Sequence, residues 1–388
     1  MIVTGEASGD LHGSNLVRSM RTISPDLIFF GMGGKNLKNA GVDILFDAAK
    51  ISVVGATEVF SHLGDILAAR RTLINAMRER KPFLLILIDF PDFNLMLAAK
   101  AKKLNIPVFY YITPQVWAWR KGRVRKIGRL ANRVAVILPF EQDFFRKHGK
   151  EVDFVGHPLF DSVTTSTTRD EFLASLSVDP AKTVVGLLPG SRKKEIISLL
   201  PDFLAAAKLL TERSDNDYTF LIPRAPTVSL QLLEDNGLNE YRKNLDIRVT
   251  DQDRYNLMAS CDAVVATSGT VILELAILEV PTVVTYRVSP HTYFLGRLLI
   301  HLQWFSLVNL IADRTIIPEL LQDEVTPENI AGELALILPE GKERSAMLQG
   351  LKEVKNKLGR PGASKRAAEI ALSVVNQNEQ SPTANRKG

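Results

Sequence analysis

The sequence predicts an α/β fold of two doubly wound domains that face a cleft, followed by a C-terminal helical segment. Short apolar runs rich in β-branched residues alternate with amphipathic helical patterns, which is typical of parallel sheets covered on both faces. The length of 388 residues suits two or three domains. A polar, Ser/Thr-rich stretch at residues 161–170 has no hydrophobic period, so it predicts the linker between the two domains.

Eight apolar runs predict buried strands. They lie at Leu27–Phe30, Phe83–Ile88, Val108–Ile112 and Val134–Leu138, and then at Val184–Leu188, Tyr218–Ile222, Ala263–Ala266 and Thr282–Thr285. Helical patterns between them include Asp65–Arg80, Leu95–Leu104, Lys194–Glu212 and Val271–Leu278. Ligands of such sheets bind beyond the carboxyl ends of the strands, so a site is expected in the turns that follow the strands.

The pattern also predicts domain boundaries. We expect a first domain at residues 1–165 and a second at 166–340. Residues 341–375 predict a basic helical segment that packs back across the domains, with a break at Gly359–Gly362. Residues 376–388 lack large apolar groups and predict a disordered tail.

Composition and charge narrow the function. The single cysteine, Cys261, excludes a disulfide framework and a cysteine-based zinc site, and no histidine pair has metal-ligand spacing. We expect no secretory leader and no membrane-spanning helix. The net charge of +5 is concentrated in two basic zones, residues 117–133 and 341–388. An anionic partner is therefore expected, and nucleic acid, anionic lipid and a phosphorylated substrate all qualify.

In the first domain, the turn Gly5–Asp10 follows a very short strand. Its glycines permit close approach of a ligand, which makes Ser8, Gly9 and Asp10 candidates for an acceptor or cleft site. The alternative is a tight turn in which Asp10 caps a helix. Gly31–Gly34 resembles a dinucleotide-binding turn but lacks the third glycine, so it is a weak signal.

Asp92 is the candidate catalytic residue. It follows the most apolar predicted strand, and Pro91 suits the first position of a helix, so Asp92 falls in the first helical turn. Asp92 is either a general base or a structural helix-start carboxylate that the helix dipole favours.

The stretch Pro114–Arg120 leads into the first basic zone and contains two of the three tryptophans. Tryptophan beside cations suits stacking on nucleic acid or contact with lipid headgroups, and an ordinary basic helix packed through its tryptophans is equally compatible. Gln115 and Trp117 are the candidate site residues of this stretch.

In the second domain, two turns predict a nucleotide diphosphate site. Ser191 and Arg192 stand where a helix begins, and backbone N–H groups and a guanidinium bind phosphate there. Ser268, Gly269 and Thr270 open a second helix, and Glu274 lies one helical turn further on, within reach of a ribose. Helix capping alone would account for Ser191 and for Thr270. It does not explain why Arg192 accompanies Ser191 and why Glu274 follows Thr270.

Together these motifs resemble the lipid-A-disaccharide synthase family, in the same order from residue 1 to about residue 375. The resemblance is carried by Gly5–Asp10, Pro91–Asn94, Pro114–Arg120, Pro139–Glu141, Leu188–Arg192, Ser268–Thr270 with Glu274, and Asn309–Gln322. The Pro-Gln-Val-Trp-Ala-Trp-Arg block is very specific, whereas the glycine turns alone are not. The first strand is shorter than in the family, which leaves the role of Met1–Thr4 in the sheet open.

The resemblance implies two Rossmann-like domains of the GT-B type and an inverting glycosyltransferase that needs no metal or other cofactor. It implies UDP-2,3-diacylglucosamine as donor, 2,3-diacylglucosamine 1-phosphate (lipid X) as acceptor, and lipid A disaccharide 1-phosphate and UDP as products. It further implies a peripheral enzyme on the cytoplasmic face of the inner membrane, and a homodimer is compatible with it. No nucleic-acid partner is expected, because no recognised nucleic-acid module is present.

The family's functional residues match Asp92, Arg192 and Asn309, and Arg314 lies in the same block as Asn309. The predicted donor site comprises Ser191, Arg192, Ser268, Gly269, Thr270, Glu274, Asn309 and Arg314. An apolar entrance for acyl chains, or a bilayer contact, is expected at Val53, Val54, Val59, Phe60, Leu63, Ile66 and Leu67, with an ordinary core face favoured for Ile66 and Leu67. A UDP-sugar 2-epimerase or a transferase of the same fold acting on a soluble sugar remains the alternative.

Overall fold

A computed structural model describes residues 1–51, 63–114, 122–214, 216–288, 293 and 303–379. The chain divides into two compact units, one formed by Met1–Asp161 with Leu358–Gly388 and the other by Ser162–Lys357. Described strands and helices are numbered here in chain order.

The first unit is built on a seven-stranded sheet in the order β3-β2-β1-β4-β5-β6-β7, and all its strand pairs are parallel. Its strands are β1 Ile2–Thr4, β2 Phe30–Gly33, β3 Asp43–Asp47, β4 Leu85–Ile88, β5 Val108–Tyr111, β6 Arg133–Val136 and β7 Asp153–Phe154. Its described helices are α1 Ala7–Ile23, α2 Lys35–Asn39, α3 Leu63–Arg80, α4 Pro91–Lys103, α5 Gly122–Leu130, α6 Pro139–Lys147 and the C-terminal α16 Ala363–Glu379.

Both faces of this sheet are buried, which explains why its strands are continuously apolar. Helices α3, α4 and α5 cover one face, for example through Leu73, Leu97 and Ile127. Helices α1 and α16 cover the other face, with Leu16 and Ala371 in the core. Each fully buried leucine stabilises such a core by about 1.5–3 kcal/mol relative to an exposed one.

The second unit is built on a six-stranded parallel sheet in the order β10-β9-β8-β11-β12-β13. Its strands are β8 Thr183–Leu188, β9 Tyr218–Pro223, β10 Ile247–Thr250, β11 Ala263–Thr267, β12 Thr282–Tyr286 and β13 Glu319–Leu321. Its described helices are α7 Arg169–Ser175, α8 Lys193–Glu212, α9 Leu230–Glu234, α10 Leu238–Tyr241, α11 Arg254–Ala259, α12 Thr270–Leu278, α13 Leu307–Ala312, α14 Pro327–Ile337 and α15 Lys342–Leu358. Short 3₁₀ turns occur at Ala48–Lys50, Pro158–Asp161 and Gln322–Glu324.

The predicted α/β class with two doubly wound sheets is confirmed, and β1, although only three residues long, lies in the middle of its sheet between β2 and β4. The prediction for the second strand is wrong by three residues. Ile28 is 85% exposed, and the strand instead contains Gly31 and Gly33, which were predicted to lie in a turn. A Cβ at Gly31, where φ is +154°, would lie 1.8 Å from the carbonyl oxygen of Ile2, so only glycine lets β1 approach this closely.

The C-terminal segment is divided between the units. Helix α15 belongs to the second unit and helix α16 to the first, with the Gly359–Gly362 break between them. Residues 376–379, expected in a disordered tail, are helical. A helix that is anchored by a buried residue such as Val374 propagates by backbone hydrogen bonds at little further cost.

Candidate active site

Two motifs of the first unit that are far apart in sequence meet at the carboxyl edge of its sheet. Because β1 pairs with β4, with Thr4 opposite Ile88, the turn after β1 lies beside the turn after β4. The ring of Phe90 fills the space where Gly5 would carry a side chain, since a Cβ there would lie 2.2 Å from the Phe90 Cγ. Gly5 is therefore required for the two turns to pack together.

The turn after β4 is strained. Asp89 and Phe90 have φ values of +48° and +45°, in the left-handed region that non-glycine residues rarely adopt. The carbonyl oxygen of Asp89 accepts hydrogen bonds from the Tyr110 hydroxyl at 2.7 Å and from the Asn94 amide at 2.8 Å. These bonds hold a conformation that costs about 1–3 kcal/mol per residue and that clusters at functional sites.

The strained turn carries a carboxyl group with altered acidity. Burial, and to a smaller extent the negative charge of Glu6, raises the pKa of Asp89 to about 6, while a hydrogen bond from the Phe90 backbone N–H opposes the rise. A carboxyl with this pKa is largely ionised at neutral pH and is well matched to accept a proton there. Asp89 was not among the candidate residues predicted from the sequence, although it directly follows the most apolar predicted strand.

Asp92, the predicted base, lies in the first turn of α4 with its side chain 78% exposed. Both of its carboxylate oxygens accept hydrogen bonds from the Nη2 of Arg123, at 2.5 and 2.6 Å. To accept a proton from a substrate, the Asp92 carboxylate would first have to give up its hydrogen bonds with Arg123. The catalytic role of Asp92 stays a prediction.

The first glycine turn combines accessible and buried residues. Ser8 is exposed, whereas Gly9 and Asp10 are buried. The Asp10 carboxylate accepts hydrogen bonds from the backbone N–H groups of Gly34, Asn36 and Leu37, at 2.7, 2.8 and 3.2 Å. Asp10 is therefore a helix cap, of α2 rather than of its own helix, and it fixes the turn after β2 beside the turn after β1.

Two candidates of the first unit, Gln115 and Trp117, lie outside the described residues, as do Val53, Val54, Val59 and Phe60 of the predicted apolar entrance. Within the described part of that entrance, Leu63 and Leu67 are 47% and 58% exposed. Ile66 is half-buried against the core. The core assignment is therefore confirmed for Ile66 and wrong for Leu67.

In the second unit, β8 pairs with β11, with Leu188 opposite Ala266, so the two predicted phosphate-binding turns are neighbours. In the first turn, the Glu195 carboxylate accepts hydrogen bonds from the backbone N–H groups of Ser191 and Arg192 at 3.0 and 3.1 Å. The Arg192 side chain is 67% exposed and pairs with the same carboxylate at 3.0 Å. The amides and the guanidinium of this turn thus already bind an anionic group, here one from the same helix.

The second turn is open. Ser268 is half-buried, and Gly269 and Thr270 are exposed at the start of α12. A Cβ at Gly269 would meet no atom of the described residues within 4 Å, so space is left for a ligand. Glu274 is buried on the same helix and binds Arg254 at 2.6 Å.

Comparison with known proteins assigns the family. Residues 1–374 match the family model described as lipid-A-disaccharide synthetase. The chain belongs to the lipid-A-disaccharide synthase family. It is 47% identical over 382 residues to the lipid-A-disaccharide synthase of Syntrophus aciditrophicus, covering 98% of both chains. It is 45% identical over 379 residues to that of Geobacter sulfurreducens, covering 97% of both.

Solved structures with low sequence identity share the fold. The UDP-GlcNAc 2-epimerase of Neisseria meningitidis bound to UDP-GlcNAc has a TM-score of 0.65 at 11% identity and covers 96% of this chain and 99% of its own. The calicheamicin glycosyltransferase CalG4 has a TM-score of 0.62 at 13% identity, covering 97% of both chains. The GT-B fold is therefore shared by glycosyltransferases and epimerases, and the sequence relatives favour the synthase over the epimerase alternative.

In this member of the family, Asn309 holds the local structure together. Its side chain is fully buried, and its Oδ1 accepts from the backbone N–H groups of Ile316 and Ile317 at 2.7 and 3.1 Å. Its Nδ2 donates to Glu319 at 2.8 Å and to the Ile317 carbonyl at 2.9 Å. Arg314 pairs with Glu353 of α15 at 2.5 Å. Both residues have protein partners in the second unit, and their contact with the donor stays a prediction.

Proposed function

We propose that the chain transfers a 2,3-diacylglucosaminyl group from its UDP donor to the 6-hydroxyl of 2,3-diacylglucosamine 1-phosphate. The observation that carries this proposal is the similarity to lipid-A-disaccharide synthases along nearly the whole chain. The product is lipid A disaccharide 1-phosphate, the core of the lipid anchor of lipopolysaccharide, and UDP is released.

The chemistry proposed for the first unit is general base catalysis by Asp89. As the acceptor 6-hydroxyl oxygen bonds to the anomeric carbon, its proton passes to the Asp89 carboxylate, and the bond from that carbon to the UDP oxygen breaks. Attack on the side opposite UDP inverts the anomeric configuration. The pKa near 6 supports this role, because the group is ionised at neutral pH and still basic enough to take the proton. Asp92 is the competing candidate.

The second unit is proposed to bind the donor through its diphosphate. The negative charge that develops on UDP as the bond breaks would be stabilised by the Arg192 guanidinium and by the amides of the two neighbouring turns. In the first turn, a phosphate oxygen would replace the Glu195 carboxylate as the partner of Ser191 and Arg192. In the second turn, Ser268, Gly269 and Thr270 offer hydroxyl and N–H groups at a helix start.

The acceptor is proposed to bind beside the first glycine turn, near Ser8 and Gly9. Ser8 is exposed at the start of α1, where the hydroxyl and the helix dipole suit a sugar phosphate. The turn also lies next to the Asp89 turn, which brings the acceptor hydroxyl toward the proposed base.

The substrates are lipids, and we propose that the first unit rests on an anionic membrane at the cytoplasmic face of the inner membrane. No helix within the described residues is long and apolar enough to cross a bilayer. Helix α5 buries Val124 and Ile127 and exposes Arg125, Lys126 and Arg129.

A surface pocket of about 580 Å³ beside α5 supports the membrane contact. It is lined by Val124, Arg125, Gly128, Arg129, His148, Gly149 and Lys150. Lys102 at the end of α4 donates to the Arg129 carbonyl at 2.6 Å, so its positive charge adds to the same surface. Each such cation near an anionic bilayer contributes about 1 kcal/mol of attraction. The exposed Leu63 and Leu67 of α3, on the same layer of helices, suit the interface with acyl chains.

A substrate assay with purified protein tests the proposal. We expect UDP release and disaccharide 1-phosphate formation, followed by mass spectrometry, only when the diacylated donor and the diacylated acceptor are both present. UDP-N-acetylglucosamine, alone or with the acceptor, serves as the matched control. Equal turnover of UDP-N-acetylglucosamine, or its conversion to a 2-epimer, would contradict the lipid assignment.

A further inference from the structure

Helix α5 carries one arginine that differs from its other cations. Arg125, Lys126 and Arg129 are exposed and belong to the proposed membrane surface, whereas the Arg123 side chain is only 12% exposed. Arg123 lies in the first turn of α5, and its Nη2 atom is 2.5 and 2.6 Å from the two carboxylate oxygens of Asp92. The guanidinium therefore faces the start of α4 rather than the lipid surface.

The two members of this ion pair are buried to very different degrees. The Asp92 side chain is 78% exposed, so it lies on the solvent side of the Arg123 guanidinium and covers it. An enclosed cation needs an anionic partner, because an unpaired buried charge is costly. An exposed carboxylate can turn into water at little cost, since exposed ion pairs contribute little to stability. The cation is therefore held in place, and the anion that pairs with it is exchangeable.

Arg123 also lies close to the strained turn after β4. Helices α4 and α5 pack side by side, and Phe93 of α4 and Val124 of α5 belong to the same core. The Tyr110 hydroxyl, which donates to the Asp89 carbonyl oxygen at 2.7 Å, is within electrostatic reach of Arg123. Burial and the charge of Asp89 raise the pKa of Tyr110, and the positive charge of Arg123 opposes the rise. The guanidinium thus stands beside the Asp89 turn.

The start of α4 attracts an anion to the same place. The first hydrogen bond of this 13-residue helix runs from the Asn94 N–H group to the Phe90 carbonyl oxygen at 3.0 Å. The N–H groups of Asp92 and Phe93 precede that bond, and together with the helix dipole they favour negative charge. A phosphate carries more negative charge and more acceptor oxygens than the Asp92 carboxylate, so it would bind this helix start and the Arg123 guanidinium more strongly.

The proposed acceptor carries a group that fits this position. In 2,3-diacylglucosamine 1-phosphate, the phosphate on C1 and the reacting hydroxyl on C6 are attached on either side of the ring oxygen. The group that binds the phosphate must therefore lie beside the proposed base Asp89 and not at it, and Arg123 meets this condition. Ser8, in the neighbouring turn, offers a neutral hydroxyl, whereas Arg123 offers a full positive charge.

We propose that Arg123 binds the 1-phosphate of the acceptor sugar, and that this phosphate displaces the Asp92 carboxylate from the guanidinium. This inference rests on the proposed function, because it takes the phosphorylated diacylglucosamine as the acceptor of the first unit. Asp92 is then the counter-ion of Arg123 until the acceptor binds, and the displaced carboxylate turns into solvent. Arg123 thereby makes the protein select phosphorylated over unphosphorylated acceptors.

Two acceptors that differ only at C1 test this role in the full-length protein. One is 2,3-diacylglucosamine 1-phosphate, the other is the 1-O-methyl glycoside of the same diacylglucosamine, and kcat/KM is measured for each with the diacylated donor. We expect the unmodified protein to prefer the phosphorylated acceptor by about tenfold or more, because charged hydrogen bonds to phosphate are strong. In Arg123→Gln the ratio should fall to about one through a higher KM for the phosphorylated acceptor, with the donor KM unchanged.

Two further variants separate phosphate binding from a loss of structure. Arg80→Gln is the matched control, since Arg80 pairs with Asp43 at 2.7 Å where β3 begins, and it should keep the preference of the unmodified protein. Asp92→Asn removes the competing anion and leaves the Arg123 guanidinium, so its preference for the phosphorylated acceptor should rise. The ratio between the two acceptors cancels any loss of catalytic power within a variant.

Other outcomes would overturn the proposal. A preference that survives in Arg123→Gln, or equal use of both acceptors by the unmodified protein, means that the guanidinium does not bind the phosphate. A preference that is lost in Asp92→Asn means that the intact ion pair matters and not the released guanidinium. If Arg123→Gln does not fold, Arg123→Lys decides, because lysine keeps the charge without the planar fork: a reduced preference supports the proposal and an unchanged one contradicts it. If the unmodified protein forms no disaccharide from either acceptor, the proposed function itself fails.

Discussion

The Asp89 carboxyl should lower the stability of the folded protein at neutral pH, so its neutral variant Asp89→Asn should be more stable. The pKa of this carboxyl is 3.8 in the unfolded chain, the ordinary value for aspartate, and it rises to about 6 in the folded protein. A raised folded pKa means that the folded state holds the proton more tightly than the unfolded state. Ionisation of Asp89 therefore lowers the free energy of unfolding. The whole penalty applies above about pH 6, and almost none of it applies below the pKa of the unfolded chain.

The magnitude follows from these two pKa values. At pH 8 the penalty for keeping the carboxylate ionised is about 3 kcal/mol, and it falls to about 1.5 kcal/mol at pH 5. Asparagine retains the shape of the side chain and can accept the hydrogen bond of the Phe90 N–H without carrying a charge. We therefore expect Asp89→Asn to raise the free energy of unfolding by up to about 3 kcal/mol at pH 8 and by about half as much at pH 5.

Urea unfolding of both proteins at pH 8 and pH 5 measures this difference. Asp92→Asn is the matched control: its exposed carboxylate pairs with Arg123, so no gain in stability is expected. A destabilised Asp89→Asn at pH 8, or a gain of the same size at both pH values, would refute the argument that burial sets the pKa of Asp89. A gain together with lost turnover would show that stability is given up for function at this turn.

Three further outcomes are expected. Arg192→Ala should weaken UDP binding by about tenfold and lower turnover, and unchanged kinetics would exclude the diphosphate contact. Asn309→Ala should lower the free energy of unfolding in urea by about 3 kcal/mol, because buried N–H groups of the following loop lose their acceptor; an unchanged midpoint would contradict this. Arg125→Glu combined with Arg129→Glu should reduce sedimentation with phosphatidylglycerol vesicles at least tenfold, whereas Lys208→Glu on the second unit should not. Equal sedimentation would exclude the α5 surface.

The sequence predicted the interior of the fold better than its edges. Strands buried on both faces, such as β5 and β8, are continuously apolar and were found within one residue of their ends. The edge strands β3, β7, β10 and β13 were missed because they are short or partly polar. The predicted position of β2 was wrong because its glycines allow neighbouring strands to pack closely. This is a tertiary effect that a local sequence pattern does not reveal.

Local sequence patterns also predicted only part of the candidate site. Helix starts and glycine turns correctly marked the carboxyl ends of β1, β8 and β11, since these signals are local. The sequence does not reveal which side chain is buried or already paired, because burial depends on partners from distant segments. Asp10 caps a helix 25 residues further on, and Asp89 gains its raised pKa only from burial and Glu6.

The pH dependence of kcat/KM with the diacylated donor and acceptor, measured from pH 5 to pH 9, tests the central role of Asp89 most directly. We expect an acid limb with a midpoint near pH 6 in the unmodified protein, retention of that limb in Asp92→Asn, and a loss of turnover of at least a hundredfold in Asp89→Asn. Near-normal turnover of Asp89→Asn with the acid limb intact would show that Asp89 is not the general base.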